Sequence, residues 1–329
     1  PYYNGTTKAY TAQPNNVENF FRSALRSITS VSAEKGSENG SIRFSYTNNS
    51  SESIIEGSDL ESHNFTLRAV NNLSDKLSID TKATYFTQEV TNRASTIGAQ
   101  GLLGYVYQMP RNLVTSDLRN YQMENPATPT DYGVITYSDG LVGNPYWMTL
   151  HDENTVRRNR FLGFAKVNYN FTDWLTGFVR VGADITNVRD NRILKPGRHF
   201  EAGGALRIQE NSFGELNSDF LLTAKHDLSD KINLVANVGG NMSKRTYEGM
   251  SVGGRNFKIP TKFFVANLNE ISTTFEKAKS INKIINKKIG EDIVSTYKRA
   301  FNILNSEIKN LDKVLSNTTD PGIFKNDFE

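Results

Sequence analysis

The stretch NNLSDKLSID, residues 71–80, places a short polar segment between two arms whose side chains alternate between apolar and polar. Alternation with a period of two is typical of a strand with one apolar and one polar face. Ser and Asp side chains hydrogen-bond to their own local backbone, which favours a tight reversal of the chain. The stretch therefore predicts a β-hairpin. The apolar positions of its arms are Phe65, Leu67, Ala69, Leu73, Leu77, Ile79, Ala83 and Tyr85.

Similar turns recur along the chain. HDLSDKINLV (226–235) nearly repeats the first copy, NYNFTDWLTGF (168–178) is a looser one, and EKGSENG (34–40) fits an earlier hairpin. Together they predict about eight strands, many of them about ten residues long or longer, where soluble strands average about five or six. Strands of about nine to eleven residues are the length that crosses a membrane.

The connections between these strands fall into two classes. Short turns are predicted at 34–40, 73–77, 171–175 and 228–232. Longer connections alternate with them, near 49–62, 89–158 and 189–216. All short turns should therefore lie at one end of an antiparallel sheet, as in outer-membrane barrels. The predicted fold class is all-β, an antiparallel meander forming part of a transmembrane β-barrel.

Composition narrows the function classes. The 329 residues contain 38 Lys and Arg and 35 Asp and Glu, a net charge of +3 that does not indicate a nucleic-acid partner. There is no Cys, and the four His are scattered, so no metal site is predicted. The sequence contains no P-loop, GxSxG, HExxH or EF-hand motif. We therefore expect no enzyme activity and no cofactor.

The last part of the chain shows a different spacing. From about residue 268, apolar residues recur at gaps of three and four, which predicts an amphipathic α-helical tail over 268–329. The expected division is a partial barrel over 1–267 and this tail. Three origins stay open: a foreign segment, a gene-boundary truncation, or a helical partner-binding element. The apolar positions include Ile281, Ile285, Ile289, Ile293, Phe301, Leu304, Ile308 and Leu311.

The long connection at 89–158 is the predicted place of ligand contact. Flat aromatic faces suit sugar rings, and Arg suits acidic groups. The alternative is that the aromatic side chains pack the loop against its neighbours. The substrate-binding candidates are Tyr105, Tyr107, Arg111, Tyr146 and Trp147.

Several segments together resemble the early barrel of SusC/RagA-type TonB-dependent transporters, over roughly residues 1–275. They are QPNNVENFFRSA (13–24), IRFSYTN (42–48), YQMPRNLVTSDLRNY (107–121), NPYWMTLHDENTVRRNRFLGFAKVNYNFTDWL (144–175) and NVGGNMSKRTY (237–247). The resemblance implies a barrel of about 22 strands with an internal plug in the bacterial cell outer membrane. It also implies contact with outer-membrane lipid, a SusD-like lipoprotein and TonB as partners, and uptake of an oligosaccharide or peptide.

The sequence departs from this family in having no recognisable TonB box, plug or closing C-terminal strand. With no initiator Met at PYYNGTTKAY, we expect a processed or internal fragment of an importer that is inactive by itself. The alternative is a soluble all-β binding module with a helical oligomerisation tail, because soluble sandwiches share the period-two strands.

Overall fold

The computed structural model describes residues 9–93, 101–124, 132–134, 143–197, 201–229 and 232–286. Its main feature is one nine-stranded antiparallel sheet in the order β1-β2-β3-β4-β7-β8-β9-β10-β11, which confirms the predicted all-β meander. The strands are β1 (Arg26–Ser37), β2 (Gly40–Glu52), β3 (Asp59–Asn72), β4 (Leu77–Thr91), β7 (Glu153–Asn170), β8 (Leu175–Leu194), β9 (Ala205–Ser229), β10 (Ile232–Phe257) and β11 (Leu268–Asn286).

Smaller elements occupy the connections. Strands β5 (Gln122–Glu124) and β6 (Tyr132–Val134) form a separate two-stranded sheet. Among the described residues, no helix has the length and apolar character needed to cross a membrane. The helical elements are the α-helix α1 (Leu102–Tyr107), the 3₁₀ turns Glu18–Phe20, Thr115–Arg119 and Val265–Asn267, and the π-helical turn Trp147–His151.

The turn at 73–76 forms as its sequence predicts. The Ser74 hydroxyl accepts hydrogen bonds from the backbone N–H groups of Lys76 (3.3 Å) and Leu77 (3.2 Å). Thr172 has the same role in the looser copy, where its hydroxyl accepts from the Leu175 N–H at 3.0 Å. A hydroxyl at the start of each turn therefore satisfies backbone donors that the strand ladder leaves unpaired.

Short and long connections alternate as predicted, so the long ones lie together at one end of the sheet. The long ones cover 53–58, 92–152, 195–204 and 258–267. All three predicted long connections are shorter than expected, because the flanking strands extend into 49–62, 89–158 and 189–216. Polar runs such as 49–52 and 209–212 interrupt the apolar alternation in these extensions, while backbone pairing continues.

One face of the sheet carries an apolar belt, and we call it the apolar face. Tyr46, Phe65, Tyr85, Phe161 and Ile185 lie in register across five adjacent strands. Phe65, Tyr85, Phe161 and Ile185 are each 40–46% exposed. The opposite, polar face carries the intervening residues. The middle of the sheet thus carries an open apolar belt, and the buried apolar residues, such as Leu206 and Phe257, lie at its long-loop end.

The apolar belt runs obliquely across the strands. On β2 it is centred on Phe44, and the register leads from Phe44 over six strand pairs to Lys244 on β10. The apolar run of β10, however, is centred on Val238, six residues nearer the short turns. With a rise of about 3.4 Å per residue and about 4.8 Å between strands, this drift corresponds to a tilt of about 35°. Barrel strands tilt by a similar angle.

The sheet also corrects the prediction of a helix beginning at 268. Residues 268–286 form β11, which pairs with β10 from Leu268 to Asn286, so the helix is wrong over this range. A gap of four, as between Ile281 and Ile285, fits a period of two as well as a helical period. The rest of the predicted tail, residues 287–329, lies outside the described residues, and the helix there stays a prediction.

Candidate functional site

The long connection at 92–152 builds a small core of its own at the long-loop end of the sheet. It packs with residues of the N-terminal segment and of the connection at 53–58, and we call this assembly the loop cluster. Its described core is formed by Phe20, Ile55, Leu102, Val106, Met109, Leu113, Leu118 and Tyr146.

Buried polar side chains join the segments of the loop cluster. Asn16 is buried and donates from Nδ2 to the Pro110 carbonyl at 2.8 Å, while its Oδ1 accepts from Arg111 Nη1 at 2.9 Å. The Thr115 hydroxyl donates to the Asn16 carbonyl at 2.5 Å. Because a buried polar group without a partner is costly, these bonds fix the N-terminal segment on the loop.

An exposed ion pair joins two segments of the loop cluster. Arg119 Nη1 and Nη2 each donate a hydrogen bond to the Glu56 carboxylate, and the Arg119 guanidinium lies 4.9 Å from the centre of the Tyr146 ring. The hydrogen bond from Arg119 is the main cause that lowers the pKa of Glu56, against the opposing effect of burial. This contact connects the 53–58 connection to the long loop.

The predicted substrate-binding residues fall into two groups. Tyr105, Tyr146 and Trp147 are at most 4% exposed and lie within the loop cluster, so they offer no open aromatic face in this structure. Tyr107 is 68% exposed at the end of α1, and Arg111 is exposed but hydrogen-bonded to Asn16. Ligand contact by these residues stays a prediction. Among the four aromatic candidates, Tyr107 is the one with an exposed side chain.

Trp147 and His151 form an aromatic contact beside the start of β7. Their ring centres are 4.0 Å apart, and Tyr121 lies against both rings. Burial, followed by the nearby Lys195 charge, lowers the pKa of His151 to about 4, and Glu153 opposes the shift. His151 is therefore neutral at physiological pH. Trp147 Nε1 is buried, with no hydrogen-bond partner in the described part of the chain.

The polar face carries a ladder of ion pairs between neighbouring strands. Arg180 and Asp219 are register partners joined by two hydrogen bonds of 2.9 Å, and Arg245 contacts its partner Glu215 at 2.9 Å. Sequence reasoning missed these pairs, because it gives the alternation of charged positions but not the register that opposes them. Two diagonal pairs, Arg68–Asp80 and Arg160–Asp184, continue the ladder.

Charged pairs also follow the apolar face, directly beyond the belt towards the long loops. Arg157 and Glu89 are joined at 2.8 Å, Arg189 and Glu210 at 3.4 Å, and Lys277 and Glu248 at 2.7 Å. The belt therefore ends at a charged rim on this side. Among the residues that the structure describes, no cluster of three or more His, Cys, Asp or Glu is arranged to hold a metal ion.

Comparison with known proteins identifies solved structures whose fold is similar to that of this sheet. No protein-family model and no curated protein matches the sequence. The fold is similar to part of a solved importer: the RagAB peptide importer in its "closed-closed" state matches with a TM-score of 0.64 and 13% identity over 86% of this chain and 33% of that chain. Its "open-open" state matches with a TM-score of 0.62 and 14% identity, over 83% and 31%.

A further structure, of the RagAB peptide transporter, matches with a TM-score of 0.62 and 14% identity over 81% of this chain and 30% of that one. The chain thus spans about a third of the length of these solved structures. At such low identity the likeness shows a shared fold. It does not extend to substrate or partners.

Proposed function

We propose that this chain forms part of the wall of a TonB-dependent importer of the SusC/RagA type in the bacterial cell outer membrane. The observation that carries the proposal is the oblique apolar belt on one face of a meander whose other face is charged. Such a belt needs a covering, and lipid covers it without another protein surface. The likeness to the RagAB structures supports the same reading of the fold.

The dimensions of the belt suit a bilayer. On β7 it runs from Phe161 to Tyr169. At about 3.4 Å per residue and a tilt of about 35°, this length gives a belt about 22 Å high, where outer-membrane barrels show about 25 Å. The charged rim beyond the belt then lies at the level of the lipid headgroups, and the loop cluster lies outside the membrane.

The proposed activity is uptake of an oligosaccharide or peptide, with a SusD-like lipoprotein and TonB as partners. The polar face borders the path of the substrate, and Tyr107 is the exposed aromatic residue of the loop cluster that the substrate would meet first. The chain acts as wall and contact surface and performs no catalysis. It works as one part of a larger transporter.

A pair of neighbouring substitutions tests the membrane assignment. Phe44 lies on the apolar face and is 45% exposed, while Ser45 follows it on the polar face. Phe44→Arg should cost about 2–4 kcal/mol at the bilayer midplane and deplete the chain from the outer-membrane fraction. Ser45→Arg, the matched control, should leave the amount in that fraction unchanged. Immunoblots of separated outer-membrane and soluble fractions measure both.

The soluble binding module predicts the opposite result. In water, Phe44→Arg replaces an exposed apolar side chain by a charged one, so it should raise the yield of soluble protein. Equal behaviour of the two variants, or recovery of the wild-type chain as a detergent-free soluble monomer, would overturn the membrane assignment.

A further inference from the structure

Three successive pairs of register partners on β7 and β8 run from the charged rim into the apolar belt, and we call them the rim column. The pairs are Arg157 with Arg189, Asn159 with Asn187, and Phe161 with Ile185. All six side chains lie on the apolar face, because residues two apart on a strand point to the same side. Neighbouring pairs are about 6.8 Å apart along the strand. The column therefore passes from charge through amides to apolar surface within about 14 Å.

Carboxylates on opposite sides hold the two arginines at the top of the rim column. Arg157 donates from Nε and Nη2 to Glu89 on β4 at 2.8 and 3.4 Å. Arg189 Nη1 lies 3.4 Å from Glu210 on β9, and Arg189 Nε donates to Asn191 at 3.3 Å. Within the described part of the chain, Arg157 Nη1 and Arg189 Nη2 have no hydrogen-bond partner. Each guanidinium thus keeps a free donor group.

The amides one step below are also incompletely used. Asn159 Oδ1 accepts a hydrogen bond from the Tyr85 hydroxyl at 3.4 Å, which leaves its Nδ2 group free. The side chain of Asn187 makes no hydrogen bond to any residue that the structure describes. Free amide donors thus lie between the arginines and the belt.

A cleft of about 500 Å³ adjoins the upper two pairs and extends along the rim to β11. Its walls include both arginines, both asparagines, Glu210 and Glu248. Glu248 is bound to Lys277 at 2.7 Å, whereas the contact of Glu210 with Arg189 is longer, at 3.4 Å. The Glu210 side chain is 45% exposed, so its carboxylate has free acceptor sites. The cleft therefore offers cationic donors and an anionic acceptor side by side.

This combination occurs at one place on the apolar face. Among the described strand residues of this face, no other two cations are register partners. Opposed cations elsewhere, such as Lys166 with Arg180, lie on the polar face. Like charges directly opposed destabilise a strand pair, and an anion between Arg157 and Arg189 would offset that repulsion.

We propose that the rim column and its cleft bind one molecule of phosphatidylethanolamine, a lipid whose headgroup joins a phosphate to a primary ammonium. The phosphate accepts from the free donors of the two arginines, and the ammonium donates to Glu210. The ester carbonyls accept from the two asparagines, and the acyl chains lie on the apolar pair. The inference rests on the proposed function in one respect, that lipid covers the apolar face.

Lipid binding to the full 329-residue chain in non-ionic detergent tests the site. The probes are the dioleoyl forms of phosphatidylethanolamine, phosphatidylcholine and phosphatidylglycerol, each titrated separately and counted on the protein by native mass spectrometry. The wild-type chain should bind phosphatidylethanolamine about tenfold more tightly than the other two. Phosphatidylcholine has the same net charge but no N–H group on its nitrogen, and phosphatidylglycerol has no cationic group.

The double variant R157Q/R189Q should lose about tenfold in affinity for phosphatidylethanolamine, because it removes the charge-assisted bonds to the phosphate. Its melting temperature should stay close to that of the wild type, since exposed ion pairs contribute little to stability. The matched control R180Q/R245Q removes the same charge from ion pairs on the polar face. It should stay within about threefold of the wild type, because charges at a distance are screened.

A single variant tests the ammonium position. Glu210→Gln removes the anionic acceptor and leaves the two arginines in place. It should reduce the preference for phosphatidylethanolamine over phosphatidylcholine to within about twofold, while the affinity for phosphatidylcholine stays unchanged.

Three results would overturn the inference. They are similar affinities of the wild-type chain for all three lipids, tightest binding of phosphatidylglycerol, and equal losses in R157Q/R189Q and R180Q/R245Q. These variants leave the apolar belt intact, so the fractionation of Phe44→Arg tests the membrane assignment separately. A wild-type chain that fractionates with the outer membrane but shows no lipid preference would overturn this inference alone.

Discussion

The low pKa of His151 results mainly from burial, which cannot be seen from its position in the sequence. In the sequence it is one of four scattered histidines without ligand-like spacing. In the structure it packs against Trp147 and Tyr121, and burial together with Lys195 lowers its pKa to about 4. The neutral imidazole is therefore part of the loop-cluster packing, and its protonation opposes the folded state.

This arrangement predicts a pH-dependent stability. The pKa of His151 is lower in the folded chain than its ordinary value of 6.5, so its contribution is complete above pH 6.5 and is lost as the pH falls towards 4. The melting temperature in detergent should fall between about pH 7 and pH 5, and His151→Gln should reduce this fall.

The exposed His226 on β9 provides the control for this measurement. His226→Gln should retain the full pH dependence of the wild-type chain. An unchanged pH dependence in His151→Gln would contradict the assignment.

The aromatic residues of the long loop show where residue-level prediction stops. Both ligand contact and packing were compatible with Tyr105, Tyr146 and Trp147. Tyr146 packs against Phe20 in a core that also contains Ile55, both from distant parts of the chain, whereas Trp147 contacts Tyr121 and His151. Sequence spacing within the loop contains no information about contacts with distant segments, so it could not separate the buried Tyr146 from the exposed Tyr107.

At the scale of elements, the hairpins were predictable because their signals are local. A Ser or Thr hydroxyl and two alternating arms lie within a few residues of each turn. The end of the sheet was not predictable in this way, because β11 is specified by pairing with β10. Its lysines and isoleucines satisfy both a helical and a period-two reading, and the ladder of backbone hydrogen bonds decides between them.

The pairing of β11 predicts a specific disulfide. The chain has no cysteine, so any intramolecular disulfide in a double-cysteine variant must join the two introduced residues. Met250 and Phe275 are register partners with exposed side chains, and the variant M250C/F275C should form an intramolecular disulfide on mild oxidation. Opposed Cβ atoms in an antiparallel pair are about 4.5–5.5 Å apart, close to disulfide geometry.

The neighbouring pair M250C/T274C supplies the control, because Thr274 points to the other face of the sheet. It should remain reduced under the same conditions. Mobility on non-reducing gels with mass spectrometry distinguishes the two variants. If residues 268–286 formed a helix, a thiol at position 275 would have no advantage over a thiol at position 274 in forming a disulfide with position 250.

At the scale of the whole molecule, the described sheet is open. β1 and β11 are its edges, and neither pairs with a further strand among the described residues. Each unpaired backbone group costs several kcal/mol in hydrocarbon, so an open sheet makes an incomplete wall. Backbone pairing is continuous over the nine described strands, but closure of the sheet needs additional strands.

We therefore predict that this chain alone transports nothing. Reconstituted into liposomes, it should give no saturable uptake of labelled oligosaccharide or oligopeptide, and any leakage should be independent of the substrate. Empty liposomes supply the baseline. Saturable flux that discriminates between an acidic and a basic peptide of equal length would contradict the prediction.

The packed loop cluster also bears on how the sheet assembles. Every strand of the main sheet pairs with the sheet strand before it along the chain, and the longest interruption is the connection at 92–152 between β4 and β7. Bringing the ends of so long a loop together costs about 3 kcal/mol more chain entropy than closing a two-residue turn. The loop cluster condenses much of this connection into a small hydrophobic body, which shortens the free chain between the two hairpin groups. Packing of the loop cluster thus brings β4 and β7 close together, so that these two strands can pair as if a short loop connected them.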